Sequence, residues 1–311
     1  MGKDFNSVLM IGYGGPDKPE DIRPFLENVC RGFNIPTSRI EEVAHHYEII
    51  GGKSPLNELT YRQAIGLEHQ LAAMGYDLPV FIGMRNWDPF IADTLKIMQR
   101  EQSLNAVGII LAAHRCDASW ERYMRDVEQA KEDTEIDLNI KYIEPQFDNL
   151  LFIESCADQI ARSFYEVPDE ERQNTKIIFT AHSIPVSMAE SSPYVQQLET
   201  TAKLIADKLE HENWLLCYQS RSGRPQDPWL EPDVCDVIDE LAEKEKNLKH
   251  VIIQAIGFIC DHVEVMYDIG IEAFKVCRHH GITMHRANTV NDDPKFLKGL
   301  ANSVVKLIES S

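Results

Sequence analysis

Short apolar runs alternate with amphipathic helical patterns along almost the whole chain. The apolar runs fall at residues 7–12, 79–83, 106–113 and 139–143 in the first half, and at 176–180, 214–218, 250–256 and 282–286 in the second. Most are continuous rather than alternating, the pattern of parallel strands buried on both faces. Between them lie helical periodicities at 57–74, 90–101, 119–132, 148–167, 194–209, 233–246, 261–280 and 293–310. Ser38-Arg-Ile-Glu41 reads as a capping box opening a short helix that Gly51-Gly52 stops, and Gly75 is placed to end the 57–74 helix.

Strand–helix alternation of this kind predicts an α/β fold with parallel sheets flanked by helices. The halves echo one another: Ile109-Ile-Leu-Ala-Ala-His114 resembles Ile177-Ile-Phe-Thr-Ala-His182, each a strand ending in His. About four strands per half predict two similar Rossmann-like domains, 1–145 and 146–311, with a cleft between them and the last helix able to pack back on the first. In such sheets ligands bind beyond the carboxyl ends of the strands. That directs attention to Tyr13-Gly-Gly-Pro16, His114, His182-Ser-Ile-Pro185, Gln219-Ser220 and Asp261-His-Val-Glu264.

Charge narrows the partners. With 31 basic and 50 acidic residues the net charge is −19, which repels phosphate backbones and argues against a nucleic-acid partner. Seven cysteines, odd in number and with no C-x-x-C spacing, fit reduced thiols in a cytoplasmic protein better than a disulfide framework or zinc ribbon. No secretory or transit pattern opens the sequence, Asn6 breaks the myristoylation pattern, and no apolar stretch is long enough to span a bilayer.

Glycine motifs exclude two further classes. Gly12-Tyr-Gly-Gly-Pro16 follows a strand, but Asp17 occupies the third glycine position of a dinucleotide turn, and Gly51-Gly-Lys-Ser-Pro-Leu56 is not a phosphate-binding Walker loop. Instead Tyr13 sits where the chain turns sharply, so its ring can project into a cleft. Arg31, His45, His46, Tyr47 and Ser54 cluster near the second glycine pair and offer a cation and hydroxyls suited to carboxylates.

The strongest local feature is the acidic run after the 250–256 strand. Glu264, Asp268 and Glu272 recur every four residues and share one helix face, with Asp261 joining the stripe one turn earlier. Like charges so spaced destabilise a helix by a few tenths of a kcal/mol per pair, and the flanking residues are apolar. A solvated acidic face and a track of hard oxygen ligands for a dication both remain open readings. His182 is either a structural hydrogen-bonding residue or, if it faces Glu264, half of a metal- and proton-handling pair suited to Fe2+.

Taken together, these segments resemble ferrochelatases. The matching stretches are Gly12-Tyr-Gly-Gly-Pro16 with Glu20-Asp-Ile-Arg-Pro-Phe-Leu-Glu-Asn-Val29, then Tyr47-Glu-Ile-Ile-Gly-Gly-Lys-Ser-Pro-Leu56 and Thr180-Ala-His-Ser-Ile-Pro185. Tyr218-Gln-Ser-Arg-Ser-Gly223, Pro228-Trp-Leu-Glu-Pro-Asp233 and Gly257-Phe-Ile-Cys-Asp-His-Val-Glu264 with Tyr267-Asp268 complete the set, in family order over nearly the whole chain. The resemblance implies two Rossmann-like domains around a porphyrin cleft, with His182 and Glu264 as the catalytic pair at the metal. It implies that Asp268 and Glu272 extend the metal track. It places Tyr13 on the opposite porphyrin face, and Arg31, Tyr47, Ser54 and Tyr123 at propionate-holding positions, with His46 where many relatives carry Arg.

The short spacing between Gly15-Pro16 and Gly51-Gly52 leaves no room for the apolar lip of protoporphyrin-using relatives. In this the chain is similar to the soluble coproporphyrin III enzymes, and the Arg-Pro-Phe-Leu-Glu-Asn-Val wording resembles their actinobacterial-type branch. Fe2+ and coproporphyrin III are then substrates of a cytoplasmic monomer, with protoporphyrin IX or a non-catalytic tetrapyrrole carrier as alternatives. That branch often holds a [2Fe–2S] cluster on C-terminal cysteines; none follows Cys277, so no cluster and no other prosthetic group is expected.

Overall fold

The computed structural model describes residues 5–32, 35–222 and 226–311, and the chain divides into two compact units. The first contains β1 (Ser7–Gly12), α1 (Ile22–Cys30), α2 (Thr37–Ile49), α3 (Leu56–Ala73), β2 (Val80–Met84), α4 (Ile91–Arg100), β3 (Asn105–Ile110), α5 (Arg122–Thr134) and β4 (Asn139–Tyr142). The second contains α6 (Leu150–Phe164), β5 (Lys176–His182), α7 (Val186–Glu190), α8 (Tyr194–Leu209), β6 (Trp214–Gln219), α9 (Val234–Lys244), β7 (His250–Gln254), α10 (Phe274–His279) and β8 (Thr283–Ala287). The last helix, α11 (Pro294–Glu309), belongs to the first unit together with 118–145, whereas 113–117 counts with the second.

Each unit carries a four-stranded sheet, in order β2-β1-β3-β4 and β6-β5-β7-β8, with every pairing parallel. The central strands are apolar because helices cover both faces. β1 is buried along its whole length. Leu9, Ile11 and Ile110 pack with Leu95 and Met98 of α4 and with Trp120, Tyr123 and Val127 of the chain entering and forming α5. The second core joins Ile178, Val251 and Ile253 to Val237 and Ile238 of α9 and to Ile269, Ala273 and Cys277. All seven cysteines are free thiols, and Cys116, Cys156, Cys217, Cys260 and Cys277 are buried. No described helix is long and apolar enough to cross a membrane.

Tertiary contacts changed three of the local expectations. α2 opens after Pro36 with no side-chain cap, and Glu41 pairs with the Arg23 guanidinium instead of closing a capping box. β7 ends at Gln254 rather than continuing to 256, because the Gly257 N–H turns to the Thr180 carbonyl, 3.1 Å away. A Cβ on Gly257 would lie 2.6 Å from the Ala181 Cβ, so only glycine lets this segment rest against β5. The helix expected from 261 begins at Val263 and is a π-helix over Val265–Ala273 before α10. Its buried residues Val265, Ile269, Ala273 and Cys277 recur every four positions. A strict four-residue repeat drifts by about 40° per step around an α-helix.

Candidate active site

In the second unit, β5 delivers His182 at its carboxyl end, in register with Gln219 at the end of β6. The strand end is pinned on several sides. The Ser183 N–H donates to the Gln219 carbonyl at 2.7 Å, the Ser183 hydroxyl donates to the Leu230 carbonyl at 2.7 Å, and the Tyr194 hydroxyl of α8 donates to the His182 carbonyl at 3.1 Å. The ring of His182 is oriented by its own neighbour, for Nδ1 contacts the Ser183 carbonyl. A carbonyl only accepts, so Nδ1 carries the proton and the neutral ring keeps its lone pair on Nε2. That Nε2 faces Glu264 Oε1 at 3.6 Å, with the two side chains 26% and 39% exposed.

Glu264 stands on the first turn of the helix that begins at Val263, and its backbone N–H donates to His262 Nδ1 at 3.2 Å. His262 is held neutral: burial pulls its pKa down, against the neighbouring carboxylates of Glu264 and Asp261. His182 behaves oppositely. Burial also pushes it down, but the facing Glu264 carboxylate, assisted by the Ser183 carbonyl and Asp268, more than offsets this and the net shift is upward. One turn further, Asp268 accepts from the Ser220 hydroxyl. Burial, with the charges of Glu264 and Glu272, raises its carboxyl to about 7 despite that hydrogen bond. The pair therefore sits beside an acid that exchanges protons near neutrality.

Asp261 does not join the acidic stripe. Its Oδ1 lies within 3.2 Å of both Arg286 Nη1 and the Thr289 hydroxyl, which anchor the loop before the helix begins. Among the described residues no group of three or more His, Cys, Asp and Glu side chains converges on one metal position. His182 and Glu264 meet, while Asp268 and the exposed Glu272 follow along the π-helix as a track rather than a cage. Gly223 of the 218–223 motif lies outside the described residues.

The first unit gathers a second group at the ends of β1 and β2. Tyr13 is 40% exposed, and its ring meets Phe25 edge-on with centroids 6.3 Å apart; Phe25 in turn meets Tyr47 at 6.0 Å and Trp87 at 6.2 Å. Ser54 is buried against Gly15, where a Cβ would come within 2.8 Å of it, and its N–H donates to the Pro16 carbonyl at 2.8 Å. Asn57 locks this corner by donating to the Gly15 carbonyl at 2.8 Å and accepting the Gly15 N–H at 3.0 Å. The exposed Arg31 bonds Asn28, which donates to the Asn86 carbonyl, and the Asn86 N–H donates to the Tyr13 carbonyl at 3.1 Å. His46 is half-buried, with its pKa lowered by burial and then by Arg39.

A family model described as Ferrochelatase matches residues 6–307. The chain belongs to the ferrochelatase family. Among curated relatives it is 38% identical to the ferrochelatase of Rhodopirellula baltica, over 96% of this chain and 85% of that one. It is 36% identical to proteins named coproporphyrin III ferrochelatase in Streptomyces coelicolor, covering 97% of this chain and 85% of the relative, and in Mycolicibacterium smegmatis, covering 98% and 89%. Among solved structures, the sirohydrochlorin chelatase SirB of Bacillus subtilis subspecies spizizenii, in complex with cobalt, aligns with a TM-score of 0.56 at 11% identity, over 98% of this chain and 96% of SirB. That likeness shows the fold, the two-domain Rossmann-like arrangement of chelatases. As a ferrochelatase-family enzyme the protein is a porphyrin metal chelatase of haem biosynthesis, and Fe2+ is its substrate.

One buried cation of the first unit escaped the sequence. Arg85, the first residue beyond β2, has a side chain only 7% exposed and is bound through Nε to Asp126 of α5. The position after a strand end was its only signal. His114, which the strand-end rule singles out in sequence, is fully buried, and its Nε2 lies 2.8 Å from the Thr201 hydroxyl. That hydroxyl donates to the Phe147 carbonyl at 2.6 Å, so His114 Nε2–H must be the donor.

Burial lowers His114 from 6.5 to about 3. Below 6.5 the unfolded chain takes up a proton that the folded chain refuses. Stability therefore falls as pH drops through this window, by up to about 1.4 kcal/mol per pH unit from this group. His114→Gln should flatten the acid side of the denaturation free energy against pH; an unchanged slope would show that another group carries it.

Proposed function

We propose that this enzyme inserts Fe2+ into coproporphyrin III, with His182 and Glu264 handling the metal and the two N–H protons that the macrocycle loses. The observation that carries the assignment is the approach of His182 Nε2 to Glu264 Oε1 at 3.6 Å while Nδ1 is tied to a carbonyl. An imidazole lone pair beside a carboxylate suits a borderline dication, and both groups can serve as proton acceptors. The reaction is balanced: porphyrin and Fe2+ give the iron porphyrin and two protons. A site shaped for a bent macrocycle exposes the nitrogen lone pairs and lowers the barrier. Glu264 and His182 take the protons, and Asp268 and Glu272 along the π-helix pass iron toward the pair and protons away from it.

On this reading Tyr13 touches the porphyrin, and Arg31, His46, Tyr47, Ser54 and Tyr123 hold its carboxylates. The names of the Streptomyces and Mycolicibacterium relatives, together with the short spacing between Gly15-Pro16 and Gly51-Gly52, favour coproporphyrin III, whose four propionates need more polar partners than protoporphyrin IX offers. A monomer acting in the cytoplasm, without a prosthetic group, completes the proposal. An anaerobic spectral assay with Fe2+ and each porphyrin in turn tests it. The expected outcome is a kcat/KM at least about tenfold higher for coproporphyrin III, the discrimination that one or two unpaired buried polar groups impose. Equal use of the two, or preference for protoporphyrin IX, would overturn the substrate assignment.

A further inference from the structure

A buried cation in the first unit serves two aromatic rings at once. The Arg85 guanidinium lies 4.6 Å from the centre of the Tyr123 ring and 5.8 Å from that of Tyr13, both within cation–π range. The three residues come from different elements: Tyr13 follows β1, Arg85 follows β2, and Tyr123 stands on α5. Asp126, one turn after Tyr123 on α5, fixes the guanidinium through Nε. The Arg85 backbone N–H donates to the Gly12 carbonyl at 3.0 Å, so the cation rides on the same turn that carries Tyr13. Tyr123 is buried, whereas Tyr13 is 40% exposed and meets Phe25 by a ring edge. A bulky phenol in the open keeps several rotamers unless something selects one. Arg85 ties that ring to the buried Tyr123, and so to α5.

We propose that Arg85 is a positioning residue that holds the Tyr13 ring in the orientation in which it meets the porphyrin, with Asp126 setting the guanidinium and Tyr123 as its fixed support. The inference rests on the reading that Tyr13 touches the macrocycle. The arrangement lowers the entropy lost on binding, because the ring is ordered before the porphyrin arrives. Lysine is not an equivalent here, since it lacks the planar face that stacks on Tyr123 and the Nε–H that Asp126 accepts.

A double-mutant cycle on coproporphyrin III affinity, read by porphyrin fluorescence, tests the idea. Arg85→Met should weaken binding about fivefold, the effect of losing one desolvated cation–π contact. In a Tyr13→Leu background the same change should have a clearly smaller effect, because the part of the loss that passes through the Tyr13 ring is gone and only what passes through Tyr123 remains. Asp126→Asn, which keeps the guanidinium but loosens it, should give a smaller loss of the same kind and guards against misfolding of the Arg85 variant. Arg85→Lys should not restore affinity. Equal losses in the wild-type and Tyr13→Leu backgrounds, or full rescue by Lys, would overturn the positioning role while leaving the Tyr13 reading intact. If Tyr13→Leu alone leaves affinity unchanged, the reading itself fails and the inference falls with it.

Discussion

Replacing Glu264 with Gln is expected to slow iron insertion by about two to four orders of magnitude, the range attributed to a positioned proton acceptor. Porphyrin affinity should stay within about threefold, because the amide has nearly the same shape and only a surface-like exchange of contacts is involved. Charge rather than size decides the outcome. Glu264 Oε1 is 3.6 Å from His182 Nε2; on the proposed reading the carboxylate shares both the incoming cation and the outgoing proton, and a neutral amide does neither. The same substitution carries an independent signature. Burial already drives the His182 pKa down, and the facing carboxylate is the largest influence driving it up. In the Glu264→Gln variant the imidazole should therefore titrate at lower pH by NMR. Normal turnover in that variant would remove the proposed role, and an unmoved imidazole would show that the pair is not coupled.

His182→Ala should abolish insertion, with at least about a thousandfold loss in kcat/KM, because it deletes both a metal-facing lone pair and a proton acceptor. An unaltered dependence of rate on Fe2+ concentration in that variant would argue against metal contact. The wild-type pH profile adds a sign that is easily checked. His182 must be neutral to offer Nε2, and its pKa lies above the ordinary 6.5. Insertion should thus fall as pH drops through a midpoint above 6.5, and that acid limb should vanish with the imidazole. Stability runs the other way. A raised folded-state pKa means that the protonated pair stabilises the fold fully below 6.5, and that this contribution is lost as pH rises through the folded value. On the proposed reading the pair is most stabilising where it is least active, a conflict expected of a site whose geometry serves chemistry.

The strands and their order of appearance were legible in sequence because a buried parallel strand must be apolar on both faces, and that signal is complete within five or six residues. β1 and β5 lie where their apolar runs are, and the strand-end rule pointed to His182 and to the loop before Glu264. The four-residue spacing of Glu264, Asp268 and Glu272 was equally visible, as was their sharing of one helix with apolar neighbours.

What only the tertiary structure decided was the partner of each polar group. Asp261 turned to Arg286 and Thr289, Glu41 to Arg23, and His114 into the core against Thr201. Arg85 acquired its place from Asp126, Tyr13 and Tyr123, residues 41, 72 and 38 positions away along the chain by their numbers. The helix after β7 took π geometry over Val265–Ala273, which its residue spacing did not announce. A run of side chains announces its own period, since period is a property of adjacent residues. A hydrogen bond or charge pair depends on which distant atoms the fold brings within about 3 Å, and that distance exists only once the chain is packed.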